Sequence, residues 1–251
     1  MGTVRWLTAF VDIAAARHDA TVRFWRAATG SDLSPARGQF DEFATLVPPD
    51  GDAYLRVQRV REGDGGIHLD VHVDDVTVAA DAAVEFGATV VHRAGHAVMR
   101  SPAGFVFCVV PHHDEPVRPA PVVGPDDATS LVDQLCIDVP TARFDDECAF
   151  WAALAGWELR SGALAEFAVL VRPPSQPLRV LLQRLGPDDG GDVARAHLDL
   201  ACGVHVDAVT AWHERLGATV VRRERYWTTL SDPAGFAYCL TARDPVSGAL
   251  G

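Results

Sequence analysis

Residues 67–75, Ile-His-Leu-Asp-Val-His-Val-Asp-Asp, alternate apolar and polar side chains with the period of a β-strand. Alternation puts His68, Asp70 and His72 on one face and Leu69, Val71 and Val73 on the other. Imidazoles and a carboxylate at this spacing can hold a divalent metal, transfer a proton or hydrogen-bond a small ligand. The pattern returns as His197-Leu198-Asp199, with Ala201 standing where the first copy has His72. Gln58 and Gln183 precede the two copies, and Cys108 and Cys239 follow them. An amide can donate to a bound ligand or close a sheet. A thiol needs a neighbouring base to act as a nucleophile, and the commoner role of a free Cys is that of a small buried hydrophobe.

These residues belong to a larger repetition. Phe24-Trp25 before Gly30 returns as Phe150-Trp151 before Gly156, and Gln58-Arg59 as Gln183-Arg184. Gly87-Ala88-Thr89-Val90-Val91 returns as Gly217-Ala218-Thr219-Val220-Val221, and Pro102-Ala103-Gly104-Phe105 as Pro233-Ala234-Gly235-Phe236. The offset grows from 126 to 131 residues without a break in order, as small loop insertions in a tandem duplication would make it. The join is a Pro-, Asp- and His-rich stretch at 111–130 without apolar period, which is linker composition. His112-His113 lies inside it and is read as solvated, with no role. The expected organisation is a first domain over 1–112, a linker over 113–130 and a second domain over 131–245.

Within the first half, strands are expected near 6–12, 42–47, 54–60, 67–73, 88–93, 96–100 and 105–110. Helices are expected over 19–29 and 76–86, the second capped by Asp74 or Asp75 and stopped by Gly87. Phe24-Trp25 and Phe150-Trp151 sit at helical spacing and read as core rather than as a stacking platform. Asp64-Gly65-Gly66 and Asp189-Gly190-Gly191 read as turns, not phosphate loops. The helices would cover one face of each sheet and leave the His-bearing face free.

Composition narrows the function classes. All 22 basic residues are Arg and the net charge is −12, so nucleic acid and anionic membranes are not expected partners. No run of apolar residues is long enough to span a bilayer, no secretory leader is evident, and the five Cys are scattered without a Cys-x-x-Cys pair. A cytoplasmic, reduced protein is the expectation. Gly-x-Gly-x-x-Gly, Walker, Gly-x-Ser-x-Gly and His-Glu-x-x-His motifs are absent.

The ordered motifs, present twice, resemble the vicinal oxygen chelate superfamily, which includes glyoxalase, bleomycin-resistance and dioxygenase members. The resemblance covers nearly the whole chain, once per half. It implies an α+β fold of two tandem glyoxalase-like domains, each made of two βαβββ modules that form a curved antiparallel sheet around a cavity. Metal-dependent members use four cavity-facing positions, which here carry Trp6, Gln58, His68 and Cys108 in the first half and Val132, Gln183, His197 and Cys239 in the second, with Gln134 near the opening position. Only the two His keep the ligand type; Cys replaces the terminal Glu. One His, one Gln and one Cys make a poor iron or manganese set.

The expectation is therefore a small-molecule-binding protein of the bleomycin-resistance type with no cofactor. Its ligand-binding residues would be Gln58, His68, Asp70, His72, Cys108, Gln183, His197, Asp199 and Cys239, with no catalytic residue assigned. The alternative is a metal-dependent lyase, isomerase or dioxygenase with a divalent ion on His68, His72 or His197. The partner is a small organic molecule; the two domains would pair within the chain, and a homodimer is left open.

Overall fold

A computed structural model describes residues 4–186, 189 and 191–250. The first half runs β1 (Val4–Ala14), α1 (His18–Ala28), β2 (Asp32–Leu33), β3 (Phe43–Val47), β4 (Leu55–Val60), β5 (Gly65–Val73), α2 (Val76–Glu85), β6 (Thr89–Arg93), β7 (Ala97–Arg100) and β8 (Val106–Pro111). A short β9 (Val122–Val123) follows in the join. The second half repeats the order: β10 (Thr129–Val139), α3 (Phe144–Ala155), β11 (Leu159–Ser161), β12 (Phe167–Leu170), β13 (Arg179–Arg184), β14 (Arg195–Ala201), α4 (Val206–Arg215), β15 (Thr219–Arg223), β16 (Trp227–Ser231) and β17 (Ala237–Thr241).

The strands form two sheets with one topology, β2-β3-β4-β1-β5-β8-β7-β6 and β11-β12-β13-β10-β14-β17-β16-β15, with β9 paired to β10. Both sheets are mixed: β5 runs parallel to β8, and β14 to β17. The wholly antiparallel sheet expected from sequence is refined at these joins, because a βαβββ module returns its last strand beside its first. That parallel register sets Asp70 opposite Cys108 and Asp199 opposite Cys239.

Local signals account for the element ends. Asp75 accepts a hydrogen bond from the Val78 amide at 3.0 Å and caps α2. Ala79, Ala80 and Ala83 form its buried stripe. Gly65 begins β5 with φ +83°, and a Cβ there would lie 2.0 Å from the Asp12 carbonyl oxygen, so only glycine fits beside β1. Gly65 and Gly66 thus belong to the strand rather than to the expected turn, and Gly190 of the matching motif lies outside the described residues.

By internal contacts the chain divides into two compact units. One comprises Met1–Ala9, Ile67–Pro116 and Leu135–Ala196; the other comprises Phe10–Gly66, Val117–Gln134 and His197–Gly251. In the first, the Phe150-Trp151 pair of α3 packs on β8, with Phe107 5.6 Å from Phe150 and 5.2 Å from Trp151 between ring centres. Glu147, one turn before Trp151 and fully buried, accepts the indole N–H at 2.7 Å and the Ala103 amide at 2.8 Å. In the second, the Phe24-Trp25 pair of α1 packs on Tyr238 of β17 at 5.7 and 5.3 Å. There the Trp25 indole donates to Asp232 at 2.9 Å, and Asp232 also accepts the Ala234 and Phe236 amides. Both Trp pairs are core, as their helical spacing predicts.

Burial pushes the Glu147 carboxyl above its ordinary range, partly offset by hydrogen bonds from Ser101, Ala103 and Trp151. A raised folded pKa means stability that is full below the unfolded value and is lost as pH rises through the folded one. Glu147→Gln cannot titrate, so its stability relative to the parent should improve between pH 4.5 and pH 7 in urea unfolding. A difference independent of pH would contradict this assignment.

Candidate functional site

Each compact unit contains one His-Asp-Cys group. In the first unit His68, Asp70 and Cys108 each offer a ligand atom, and these atoms all lie within 4.8 Å of one another. The His68 Nε2 is 3.7 Å from Asp70 Oδ1. In the second unit His197, Asp199 and Cys239 form the matching group, with Nε2 to Oδ1 at 3.3 Å. Strand alternation supplies the His and Asp, and the parallel neighbour strand supplies the Cys. His68, Asp70 and His72 are 9%, 6% and 1% exposed, so the face read as free is nearly closed. A groove of about 390 Å³ in the first unit lies elsewhere, lined by Phe86, Pro102 and Phe150 among others.

The two groups differ in what surrounds the carboxylate. In the second unit Gln134 donates its amide to Asp199, Arg243 donates to the Gln134 carbonyl, and Arg243 also pairs with the fully buried Asp133. Burial alone would raise the Asp199 carboxyl, but hydrogen bonding and charge from His197, with Arg243 and Gln134, outweigh it and hold it below the ordinary range. The ionised form of Asp199 is thereby favoured, with Oδ2 bonded by Gln134 and Oδ1 facing His197. In the first unit the positions of Ala201 and Arg243 carry His72 and His112, as the matching registers of β14–β17 and β5–β8 require. There His72 Nε2 hydrogen-bonds Thr8 Oγ1 at 2.9 Å.

The remaining expected residues fall as follows. Gln58 stands on β4 opposite Phe43 in the second unit, and Gln183 on β13 opposite Phe167 in the first, 3.8 Å from Cys136 Sγ. Trp6 and Val132, carried over for the opening strand, are buried apolar residues; Gln134 is the opening-strand side chain that reaches the second group. His112, read as solvated linker, extends β8 through its backbone N–H, which donates a hydrogen bond to the Val73 carbonyl at 3.0 Å. Arg243, Asp133 and Glu115 were not legible as site residues. Glu115 belongs to an irregular stretch, and the other two enter only through the fold.

Comparison with known proteins places the chain. The glyoxalase-like domain profile matches it twice, over residues 8–110 and 134–241, and the chain belongs to that family. Its fold is that of the vicinal oxygen chelate superfamily. No curated protein sequence matches it. Among solved structures, a variant of 4-hydroxymandelate synthase from Streptomyces coelicolor aligns with TM-score 0.61 at 16% identity, covering 97% of this chain and 93% of that one. The 2,2',3-trihydroxybiphenyl 1,2-dioxygenase of Sphingomonas wittichii strain RW1 aligns at 0.60 and 19% identity, covering 99% and 93%. The 2,3-dioxygenase LapB of Pseudomonas sp. KL28 aligns at 0.62 and 13%, covering 96% and 92%. At these identities the likeness is one of fold. Among the described residues no helix is long and apolar enough to cross a membrane.

The expectation of no cofactor is corrected here. It rested on one His, one Gln and one Cys per half. The fold instead assembles His, Asp and Cys donors within ligand distance of one another, and its structural neighbours include dioxygenases. The reading missed Asp70 and Asp199 as partners of the Cys because their adjacency depends on the parallel joins. The donor set His68-Asp70-Cys108, nitrogen, oxygen and sulfur, suits a borderline divalent ion such as zinc or iron(II).

Arg243→Met should leave Asp133 and Asp199 buried without their cation and destabilise the protein by about 3–5 kcal/mol in urea unfolding. A loss below about 1 kcal/mol, typical of an exposed pair, would show that the network is solvated.

Proposed function

We propose that the chain is a metal-dependent enzyme of the dioxygenase type, acting on a small organic molecule with adjacent oxygen atoms at the group formed by His68, Asp70 and Cys108. The observation that carries the reading is the convergence of these donors on one nearly closed face within 4.8 Å. The dioxygenases among the structural neighbours favour it over the alternatives of lyase and isomerase. Bound there, a divalent ion supplies Lewis acidity toward substrate oxygens. His68, Asp70 and Cys108 would hold it. Cys108 would hold it as the thiolate. The near burial of His68 and Asp70 keeps bulk water away and strengthens the electrostatics.

The second unit favours ligand binding without chemistry. Asp199 accepts from Gln134 through one oxygen and faces His197 with the other, and the nearby Arg243 supplies positive charge, so the need for an external cation is smaller there. On this reading the duplication separated a catalytic half from a binding half.

The test is oxygen uptake by protein loaded anaerobically with iron(II), manganese(II) or zinc(II), across a panel of catechols and related aromatic diols. His68→Ala should lower activity by more than about 100-fold while the circular dichroism stays native. His197→Ala should retain activity. Equal losses, or activity independent of both residues, would contradict the assignment.

A further inference from the structure

A second donor cluster lies at the other end of β5. His72, His112 and Glu115 each offer a ligand atom, all within 4.8 Å of one another. The Glu115 Oε2 is 3.0 Å from His112 Nδ1 and 3.8 Å from His72 Nδ1. Neighbouring nitrogen and oxygen ligands on a tetrahedral ion at about 2.0–2.1 Å are about 3.3 Å apart, so the two distances bracket what an ion requires. Two His and one carboxylate is also the donor set of open-sided sites for first-row divalent ions.

Each donor is held from behind. The Thr8 hydroxyl lies 2.9 Å from His72 Nε2. With the proton on Nε2 donated to Thr8, His72 Nδ1 keeps its lone pair toward Glu115, the orienting arrangement typical of ligating imidazoles. The His112 amide bonds the Val73 carbonyl at 3.0 Å and so fixes that residue against β5. The His113 amide donates to Glu115 Oε2 at 3.1 Å, holding the carboxylate against the His pair. All three side chains are largely buried: His72 is 1% exposed, His112 18% and Glu115 16%.

The other copy supplies an internal comparison. Where this copy has His72 and His112, the second has Ala201 and Arg243. There a permanent guanidinium occupies the position and neutralises buried Asp133. The first copy has no Arg at this position. Its two imidazoles and one carboxylate supply nitrogen and oxygen donors for an external cation.

We propose that His72, His112 and Glu115 form a second divalent-metal site, of the zinc class, separate from the His68 group. It would clamp residues 112–115, which carry no regular secondary structure, to the end of β5. Three protein ligands leave a position for water or a small anion.

The site is tested on the metal-free full chain, titrated with zinc chloride by calorimetry and with cobalt(II) by visible absorption. In the His68→Ala/His197→Ala variant one equivalent of zinc should still bind, with a tetrahedral-type cobalt band and a rise in Tm. His112→Ala and Glu115→Gln, at partly exposed positions, should each weaken that equivalent about 10- to 100-fold or more while circular dichroism stays native. Binding lost in the His68/His197 variant but unaffected by His112→Ala and Glu115→Gln would overturn this site while leaving the His68 site standing. Loss of zinc in the His112 and Glu115 variants alone would support this site and count against the other. No zinc bound by the parent protein would overturn both.

Discussion

The structure depends on a buried tie among a Trp indole, a carboxylate and the loop that opens the last strand of a module. In one unit Trp25 of α1 donates to Asp232, which in turn accepts two amides of the loop. In the other, Trp151 of α3 donates to Glu147, which accepts the Ala103 amide of the equivalent loop. The carboxylate has moved from the loop to the helix between copies: Ser101 stands where Asp232 does, and Thr21 where Glu147 does. The geometry of the tie survives because an indole N–H and a loop amide both need an acceptor once they are buried. Its consequence reaches the site. The tied loops launch β8 and β17, and these strands bring Cys108 and Cys239 beside Asp70 and Asp199.

On that common frame the two copies have taken opposite solutions for buried negative charge. The second copy built in its cation as Arg243, which links Asp133 and Gln134 and lies near enough to Asp199 to favour its ionised form. The first copy has His at the same place, and imidazole is a ligand where guanidinium is not. A buried carboxylate must be paired or neutralised. Arg does this permanently, whereas a His and carboxylate group can do it with an ion that exchanges and presents open coordination positions. On the proposed reading, the difference between Arg243 and His112 separates a self-contained site from one that would accept a metal.

Much of this was legible in the sequence. The duplication, the helix stops and the Asp75 cap follow from local chemistry, and strand alternation at 67–73 grouped His68 with Asp70 and His72. Burial of the Trp pairs followed from their helical spacing. The rest was hidden for identifiable reasons. The parallel registers that seat Cys108 against Asp70 depend on which strands meet, and periodicity does not report that. Closure of the His-bearing face is tertiary as well; alternation marks faces but not what covers them. His112 sat in a Pro- and Asp-rich stretch whose composition resembles a linker, yet its amide continues the β8 pairing. Arg243 lies just beyond β17, and its partners Asp133 and Gln134 are more than a hundred residues away. The absence of a terminal Glu made the sequence look like that of a protein without a cofactor; the fold answers with the strand-borne Asp beside each His.

The central claim is that the first copy is a metal centre and the second is not. Anomalous diffraction from crystals of the full chain equilibrated with zinc tests it most directly. The account predicts an anomalous peak among His68, Asp70 and Cys108, and none among His197, Asp199 and Cys239, where Gln134 holds one carboxylate oxygen and Arg243 supplies nearby positive charge. A peak at the second group with none at the first would contradict it.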